Sequence, residues 1–118
     1  MKTKHNEQPV RFGLKEQVIQ EIVDVLKKHP EVESAILYGS RAMGNFRPGS
    51  DIDLTLTGKS LTYQTVARIE DEIDDLLLPY LFDISILSHI NNPNVVDHIN
   101  RVGIAFYEQV TAPAQQPS

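Results

Sequence analysis

The sequence predicts an α/β domain in which a mixed β-sheet carries flanking helices. Segments with apolar residues at helical spacing alternate along the chain with short segments in which apolar and polar residues alternate. Helix and strand patterns that follow one another in this way are typical of a sheet with helices packed on it. The chain has 118 residues, a length that fits one domain and leaves little room for a second core.

The individual elements are predicted in chain order from these patterns. Val18, Ile22 and Val25 recur at helical spacing in the first segment. Asn92 and Pro93 suit the cap and first position of a later helix, since proline there gives up only a donor that would be unpaired. The expected order is a helix over 14–28, strands over 34–38 and 51–57, a helix over 61–78 with a stripe of Val66, Ile69, Ile73, Leu76 and Leu77, a strand over 82–87, a helix from Asn92 to near Gly103 and a strand over 104–107.

Composition limits the classes of protein that the chain can represent. Residues 1–12 and 111–118 are predicted to be flexible ends around a domain over 13–110, because they offer little to bury. The net charge is −5 without a run of Lys or Arg, which does not favour direct nucleic-acid binding as the main task. No apolar run is long enough for a membrane span, and the absence of cysteine excludes disulfides and thiolate metal sites. A cytoplasmic location is expected.

Three carboxylates form the first candidate functional set. Asp51 and Asp53 lie two residues apart in a predicted strand, so their side chains share one face. Neighbouring carboxylates repel each other unless a positive charge lies between them, and Mg²⁺ prefers such oxygen ligands. Asp83 occupies the polar face of the strand over 82–87. If that strand lies beside the Asp51 strand in the same direction, Asp83 becomes a third carboxylate at the same metal site.

A Gly-Ser pair at the end of a strand forms the second candidate set. Gly39 permits a tight turn and a close backbone approach to a phosphate. Ser40 and the amides after it are expected to open a short helical turn, and a helix N-terminus attracts phosphate. Arg41 is predicted to help neutralise the triphosphate or pyrophosphate.

The spacing of the two sets resembles a known signature. Gly39-Ser40 is followed after ten residues by Asp51-Ile52-Asp53, which is similar to the motif of the polymerase-β-like nucleotidyltransferase superfamily. The string from Tyr38 to Leu54 resembles the minimal, single-domain branch of that superfamily, and the likeness extends over about residues 14–108. The resemblance implies the nucleotidyltransferase fold, triphosphate binding at Gly39 and Ser40, and metal binding at Asp51, Asp53 and Asp83.

The resemblance also implies an activity and a partner. It implies that two Mg²⁺ ions and ATP serve in-line attack of an acceptor hydroxyl on the α-phosphate. The minimal branch often acts as the MntA-type antitoxin beside a small helical HEPN-domain toxin, and some members transfer AMP to a tyrosine of that toxin. A protein adenylyltransferase that neutralises a HEPN ribonuclease, in a complex with it, is therefore expected. Larger relatives add a helical domain that binds the acceptor. Here a second chain is expected to supply the acceptor or to complete the cleft.

Two alternatives remain open from the sequence. One is a binding module that neutralises its partner by occlusion, without turnover. The other is a nucleotidyltransferase for a small molecule such as an aminoglycoside.

Other polar features are interpreted without a catalytic role. Gly58-Lys59-Ser60 lacks the earlier glycine of a phosphate-binding P-loop, because Asp53 stands at that position. The acidic string over 70–75 is interpreted as a solvated helix face. The four histidines show no ligand spacing and are interpreted as structural or solvated; they are His5, His29, His89 and His98.

Overall fold

The structure, a computed structural model, describes residues 10–110. A short hairpin precedes the first helix, and helices then alternate with the strands of a second sheet. A 3₁₀ turn at Leu87–His89 follows the fifth strand. The elements are β1 Val10–Arg11, β2 Leu14–Lys15, α1 Glu16–Lys27, β3 Ser34–Tyr38, α2 Ser40–Met43, β4 Ile52–Thr57, α3 Tyr63–Asp74, β5 Phe82–Ile86, α4 Pro93–Val102 and β6 Ile104–Glu108.

The main sheet is mixed, as the sequence predicts. Its strand order is β5-β4-β3-β6, with β1 and β2 forming a separate antiparallel pair. β3 pairs antiparallel with β4 and with β6, whereas β4 and β5 run parallel. A parallel pair needs a crossover connection, and α3 provides it between β4 and β5.

One face of the sheet carries the hydrophobic core. Leu37, Leu54 and Ile84 come from β3, β4 and β5 and are buried. Because successive side chains on a strand point to opposite faces, their alternate neighbours lie on the other face. α1 and α3 cover the apolar face, with residues such as Ile22 and Ile69 fully enclosed. Each buried side chain of this size contributes about 1.5–3 kcal/mol relative to leaving it in water.

The opposite face is covered only in part. α4 packs on β3 through its single buried residue, Ile99. Its C-cap Gly103 approaches Ile36 of β3 so closely that a Cβ there would clash. The same face of β4 and β5 leaves Asp53 partly exposed and Asp83 exposed. The position of α4 therefore divides this face into a covered half and an open half.

The structure differs from the predicted elements at the ends of two helices, α1 and α3. α1 begins at Glu16 rather than Leu14, because residues 14–15 pair with residues 10–11. The segment over 10–12, assigned from the sequence to the flexible N-terminus, therefore belongs to a hairpin. Residues 1–9 and 111–118, which complete the predicted flexible ends, lie outside the described residues.

α3 is shorter than the predicted helix over 61–78. It begins after Thr62, whose side chain accepts a hydrogen bond from the amide of Thr65, and it ends at Asp74. Leu77 has φ 57° and is 86% exposed, so the predicted apolar stripe is wrong at this residue. Pro79 prevents the helix from continuing as far as 78, since the residue before a proline, here Leu78, is disfavoured in the helical region. The helix predicted from Asn92 is confirmed, with the Asn92 side chain accepting from the Asn94 amide.

Across residues 10–110, no helix has the length and apolar character needed to cross a membrane.

Candidate active site

The three predicted carboxylates lie at one end of β4 and β5. Asp53 is directly opposite Asp83 in the register of β4 and β5. The two strands run parallel, which is the condition under which Asp83 is expected to join Asp51 and Asp53. Asp51 immediately precedes β4 and is exposed, as is Asp83, whereas Asp53 is half-buried. The sheet therefore places Asp53 between Asp83 on β5 and Asp51, which stands two residues earlier in the chain.

The charges around Asp53 are mostly of its own sign. Burial raises the pKa of Asp53 above its ordinary value, and the carboxylates of Asp83 and Asp51 raise it further. His98 acts in the opposite direction. The ion pairs of the described residues join Arg11 to Glu16, His29 to Glu72 and Arg101 to Asp97, and none of them involves the three aspartates. The fold thus holds carboxylates together without a cationic side chain paired to them, an arrangement that favours an added cation.

The donor set suits Mg²⁺ in one particular mode. Within residues 10–110, no three His, Cys, Asp or Glu side chains come close enough to hold a metal ion together. The joint metal role expected of Asp51, Asp53 and Asp83 therefore stays a prediction. Mg²⁺ is nevertheless usually bound through one or two carboxylates, with waters and substrate phosphates as its other ligands. Asp53 and Asp83 lie on adjacent strands and offer only carboxylate oxygens, so they fit this way of binding Mg²⁺. Asp51 lies beside them in the sequence.

Gly39 shapes the turn that follows β3. It has φ 77°, a conformation that glycine adopts without steric cost. A Cβ at this position would also collide with Oδ2 of Asp53. The backbone conformation therefore favours glycine here, and a larger residue would also have to displace the Asp53 carboxylate. The next residues, Ser40–Met43, form the short helical turn that the sequence predicts.

Arg41 does not occupy the predicted place at the phosphates. Its side chain is buried, with 2% of the residue exposed. Nη1 donates to the carbonyl of Phe12 at 2.8 Å, and Nη2 donates to those of Pro48 and Ser50 at 3.2 and 2.9 Å. Nε also donates to the Ser50 carbonyl, at 3.1 Å. The guanidinium therefore fastens the loop before β4 to the N-terminal hairpin.

Aromatic rings complete the surroundings of this arginine. The guanidinium carbon of Arg41 lies 5.2 Å from the ring centroid of Phe46 and 5.1 Å from that of Tyr80. Such cation–π contacts are strongest where water is excluded. The interpretation of Arg41 as a phosphate ligand is corrected: its role in the structure is to hold the segments that lead into Asp51 and Asp83.

Two residues near the carboxylates were not identified from the sequence as members of the site. Tyr38 is opposite Asp53 in the antiparallel register of β3 and β4, and it is half-buried. Burial raises the pKa of the Tyr38 phenol; the Ser85 hydroxyl opposes this rise, and the Asp83 and Asp53 carboxylates add to it. The strand position immediately before Gly39 was the available signal for Tyr38.

The second missed residue, His98, comes from α4. The Gly39 amide donates to its Nε2 at 3.2 Å. No pattern in the sequence links the two residues, because they are 59 positions apart and only the packing of α4 brings them together.

The polar face continues below the carboxylates. Ser85 donates a hydrogen bond to the hydroxyl of Thr55 at 2.9 Å. This pair lies two residues further along β5 and β4 than the Asp83–Asp53 pair, on the same face of the sheet. Thr55 is fully buried. This contact fixes neighbouring strands beneath the site.

A separate cavity lies at the other end of β4. It has a volume of about 450 Å³ and is lined by Glu33, Thr57, Gly58, Lys59, Leu87 and Ser88. None of the predicted site residues lines it. We place the site on the open face at the carboxylates, because the aligned aspartates and the Gly39 turn meet there.

The fold and the site together define an α/β domain with a Gly-Ser turn facing aspartates that are aligned on adjacent strands. That is the arrangement of a phosphoryl-transferring class of protein. The family described as Polymerase beta, Nucleotidyltransferase matches residues 20–111. The chain belongs to this family and is a nucleotidyltransferase by class.

Solved structures with the same fold include toxin–antitoxin complexes. One, a toxin–antitoxin with AMP-PNP, aligns with a TM-score of 0.63 at 17% identity, over 77% of this chain and 73% of the other. Another, a tri-AMPylated HEPN toxin from Shewanella oneidensis in complex with an MNT antitoxin, aligns with a TM-score of 0.59 at 14% identity, over 80% and 72%. A nucleotidyltransferase-like protein from Sulfolobus solfataricus aligns with a TM-score of 0.50 at 18% identity, over 79% of each chain. No curated protein sequence matches significantly.

Proposed function

We propose that this chain is a Mg²⁺-dependent adenylyltransferase that transfers AMP from ATP to a tyrosine hydroxyl of a HEPN-domain partner and thereby acts as its antitoxin. The observation that carries the proposal is the alignment of Asp53 with Asp83 on parallel strands, next to the Gly39 turn. The likeness to toxin–antitoxin structures that contain AMP-PNP or an AMPylated HEPN toxin supports the choice of nucleotide and partner.

The residues of the chain serve this reaction by positioning. The acceptor oxygen attacks the α-phosphorus as the bond to the leaving pyrophosphate breaks, so the phosphates must be held in line with the acceptor. The turn at Gly39-Ser40 lets the backbone approach the triphosphate. Asp51, Asp53 and Asp83 would hold Mg²⁺, which when bound supplies positive charge to the phosphates and the leaving group. The open half of the sheet face leaves room for a protein acceptor.

The proposal is tested by intact-mass spectrometry. A HEPN-domain protein, such as one encoded by a neighbouring gene, is incubated with the chain, ATP and Mg²⁺. We expect a mass increase of one or more adenylates, lost in the Asp51→Asn variant because the metal loses a ligand. Asp24→Asn, an exposed aspartate on α1, is the matched control and should transfer as the wild type does.

Two other outcomes would contradict the proposal. A stable complex without any mass shift would indicate neutralisation by occlusion, and protection of cells by the Asp51→Asn, Asp53→Asn double variant would support that reading. Adenylation of an aminoglycoside in place of the partner would indicate a small-molecule enzyme.

A further inference from the structure

His98 contacts the candidate active site from outside the predicted motif. It lies in the second half of α4 and is half-buried. Its Nε2 accepts the Gly39 amide at 3.2 Å, and its ring meets Tyr38 edge to face, with centroids 6.1 Å apart and planes at 77°. One side chain of α4 thus touches the end of β3 and the turn that follows it.

The hydrogen bond gives the Gly39 amide a partner that the local backbone does not supply. The first backbone bond of α2 runs from the Met43 amide to the Gly39 carbonyl, so the amide of Gly39 precedes the helix. With φ 77°, Gly39 leaves the direction of β3 abruptly. A partly buried donor without an acceptor would be costly at this point. Because Nε2 accepts, the proton of the neutral ring is on Nδ1.

We infer that His98 is a positioning residue: through the Gly39 amide, it fixes the Gly39-Ser40 turn against Asp53 and so sets the affinity for the nucleoside triphosphate. This inference rests on the proposed function for the identity of the ligand. His98 acts through Gly39 and makes no contact of its own with the phosphates. A change that removes the acceptor should therefore weaken nucleotide binding while α4 remains packed on β3.

Two substitutions separate the acceptor from the ring. His98→Gln places Oε1 the same number of bonds from Cβ as Nε2, so it keeps an acceptor without the ring. His98→Phe keeps a ring that can meet Tyr38 edge to face but offers no acceptor. Both residues are compatible with a helix interior. Equal thermal unfolding midpoints for the two variants establish that any difference between them is local.

The first measurement is hydrogen exchange of the Gly39 amide, followed by NMR without nucleotide or metal. We expect wild type and His98→Gln to protect this amide alike and His98→Phe to exchange about fivefold faster, the size expected for one neutral hydrogen bond. The second is calorimetric titration with AMP-PNP and Mg²⁺. We expect the dissociation constant to rise about fivefold in His98→Phe and to stay within about twofold of wild type in His98→Gln.

Three results would overturn the inference. They are unchanged Gly39 exchange in His98→Phe, unchanged nucleotide affinity in that variant, and a loss in His98→Gln as large as that in His98→Phe. Failure of the wild type to bind AMP-PNP would count against the proposed function and against the nucleotide part of the inference. The exchange measurement would still decide whether His98 holds the turn.

Discussion

Arg41 and Arg47 show how differently two arginines of one segment can be used. Arg41 is enclosed by carbonyls and rings, whereas Arg47 is exposed. The guanidinium is always charged, so burying it requires that its donors be satisfied. Four donor contacts to three carbonyls meet that requirement. Arg41 thus stabilises the site indirectly, by holding the loop before β4 against the N-terminal hairpin.

The buried arginine leads to a stability prediction. Arg41→Ala would leave the carbonyls of Phe12 and Ser50 without their donor and would open a cavity. We expect the free energy of unfolding to fall by about 2–4 kcal/mol. Urea denaturation measures this, with Arg47→Ala as the control that should change stability by less than about 0.5 kcal/mol. A stable Arg41→Ala variant with weak ATP binding would restore the phosphate role.

Three glycines form a graded test of the turn. Gly39 combines φ 77° with a blocked Cβ position, Gly44 has φ 89° with open space, and Gly49 has open space without a positive φ. We expect Gly49→Ala to be nearly neutral and Gly44→Ala to cost about 1 kcal/mol from backbone strain. Gly39→Ala should cost more and also abolish transfer, because its Cβ displaces the Asp53 carboxylate. Denaturant unfolding measures the loss of stability in each variant, and the mass assay measures the loss of transfer. Equal effects of Gly39→Ala and Gly44→Ala would contradict the predicted ranking.

The raised pKa of Asp53 predicts how stability depends on pH. The folded protein keeps the Asp53 proton to a higher pH than the unfolded chain does, since burial and the Asp83 and Asp51 carboxylates raise this pKa. The folded state then binds more protons, so this group lowers stability as the pH rises through the ordinary aspartate range. Asp53→Asn removes the loss of stability that comes from ionising Asp53 in the folded state.

Without metal, Asp53→Asn should therefore melt at or above the wild-type temperature near about pH 7, and the gain should vanish at low pH. Calorimetry in EDTA across this pH range measures it, with Asp24→Asn as the control. A lower melting temperature for Asp53→Asn at neutral pH would show that the carboxylate stabilises the fold.

At the scale of elements, the end of α3 carries a local strain. Leu77 adopts the left-handed conformation and is almost fully exposed, so its side chain gains little from packing there. A leucine in this region costs about 1–2 kcal/mol relative to glycine. Leu77→Gly is therefore expected to raise the free energy of unfolding by about 1 kcal/mol. Leu81→Gly, at an exposed position without positive φ, is the control and should bring no gain.

α4 is the element that gives the sheet its asymmetry. It covers β3 on the face opposite the core and reaches Gly39 through His98. β4 and β5 carry no helix on that face at Asp53 and Asp83, and both aspartates keep access to solvent. A helix placed one strand further along would have closed the site.

At the scale of the whole molecule, ligand binding should appear as stabilisation. A nucleotide that binds only the folded state at about one hundred times its dissociation constant adds about 2.7 kcal/mol. For a domain of this size we expect AMP-PNP with Mg²⁺ to raise the melting temperature by about 10 °C. Differential scanning fluorimetry measures the shift, which should be lost in EDTA and in the Asp51→Asn, Asp53→Asn double variant. A shift that survives both would place the nucleotide elsewhere.

The sequence by itself determined the α/β class, the order of the elements that follow the N-terminal hairpin, and the residues of the motif. Alternation of side chains put Asp51 and Asp53 on one face, and the run after Tyr38 required glycine at the turn. These features are local: they depend on periodicity and on the backbone preferences of single residues.

The tertiary structure decided which of these groups meet. The parallel register brought Asp83 beside Asp53, the hairpin and the loop before β4 enclosed Arg41, and the packing of α4 brought His98 to Gly39. Strand order, burial and contacts between residues distant in the chain depend on how all elements pack at once. No local pattern encodes them, so the sequence predicts neither the burial of Arg41 nor the contact of His98 with Gly39.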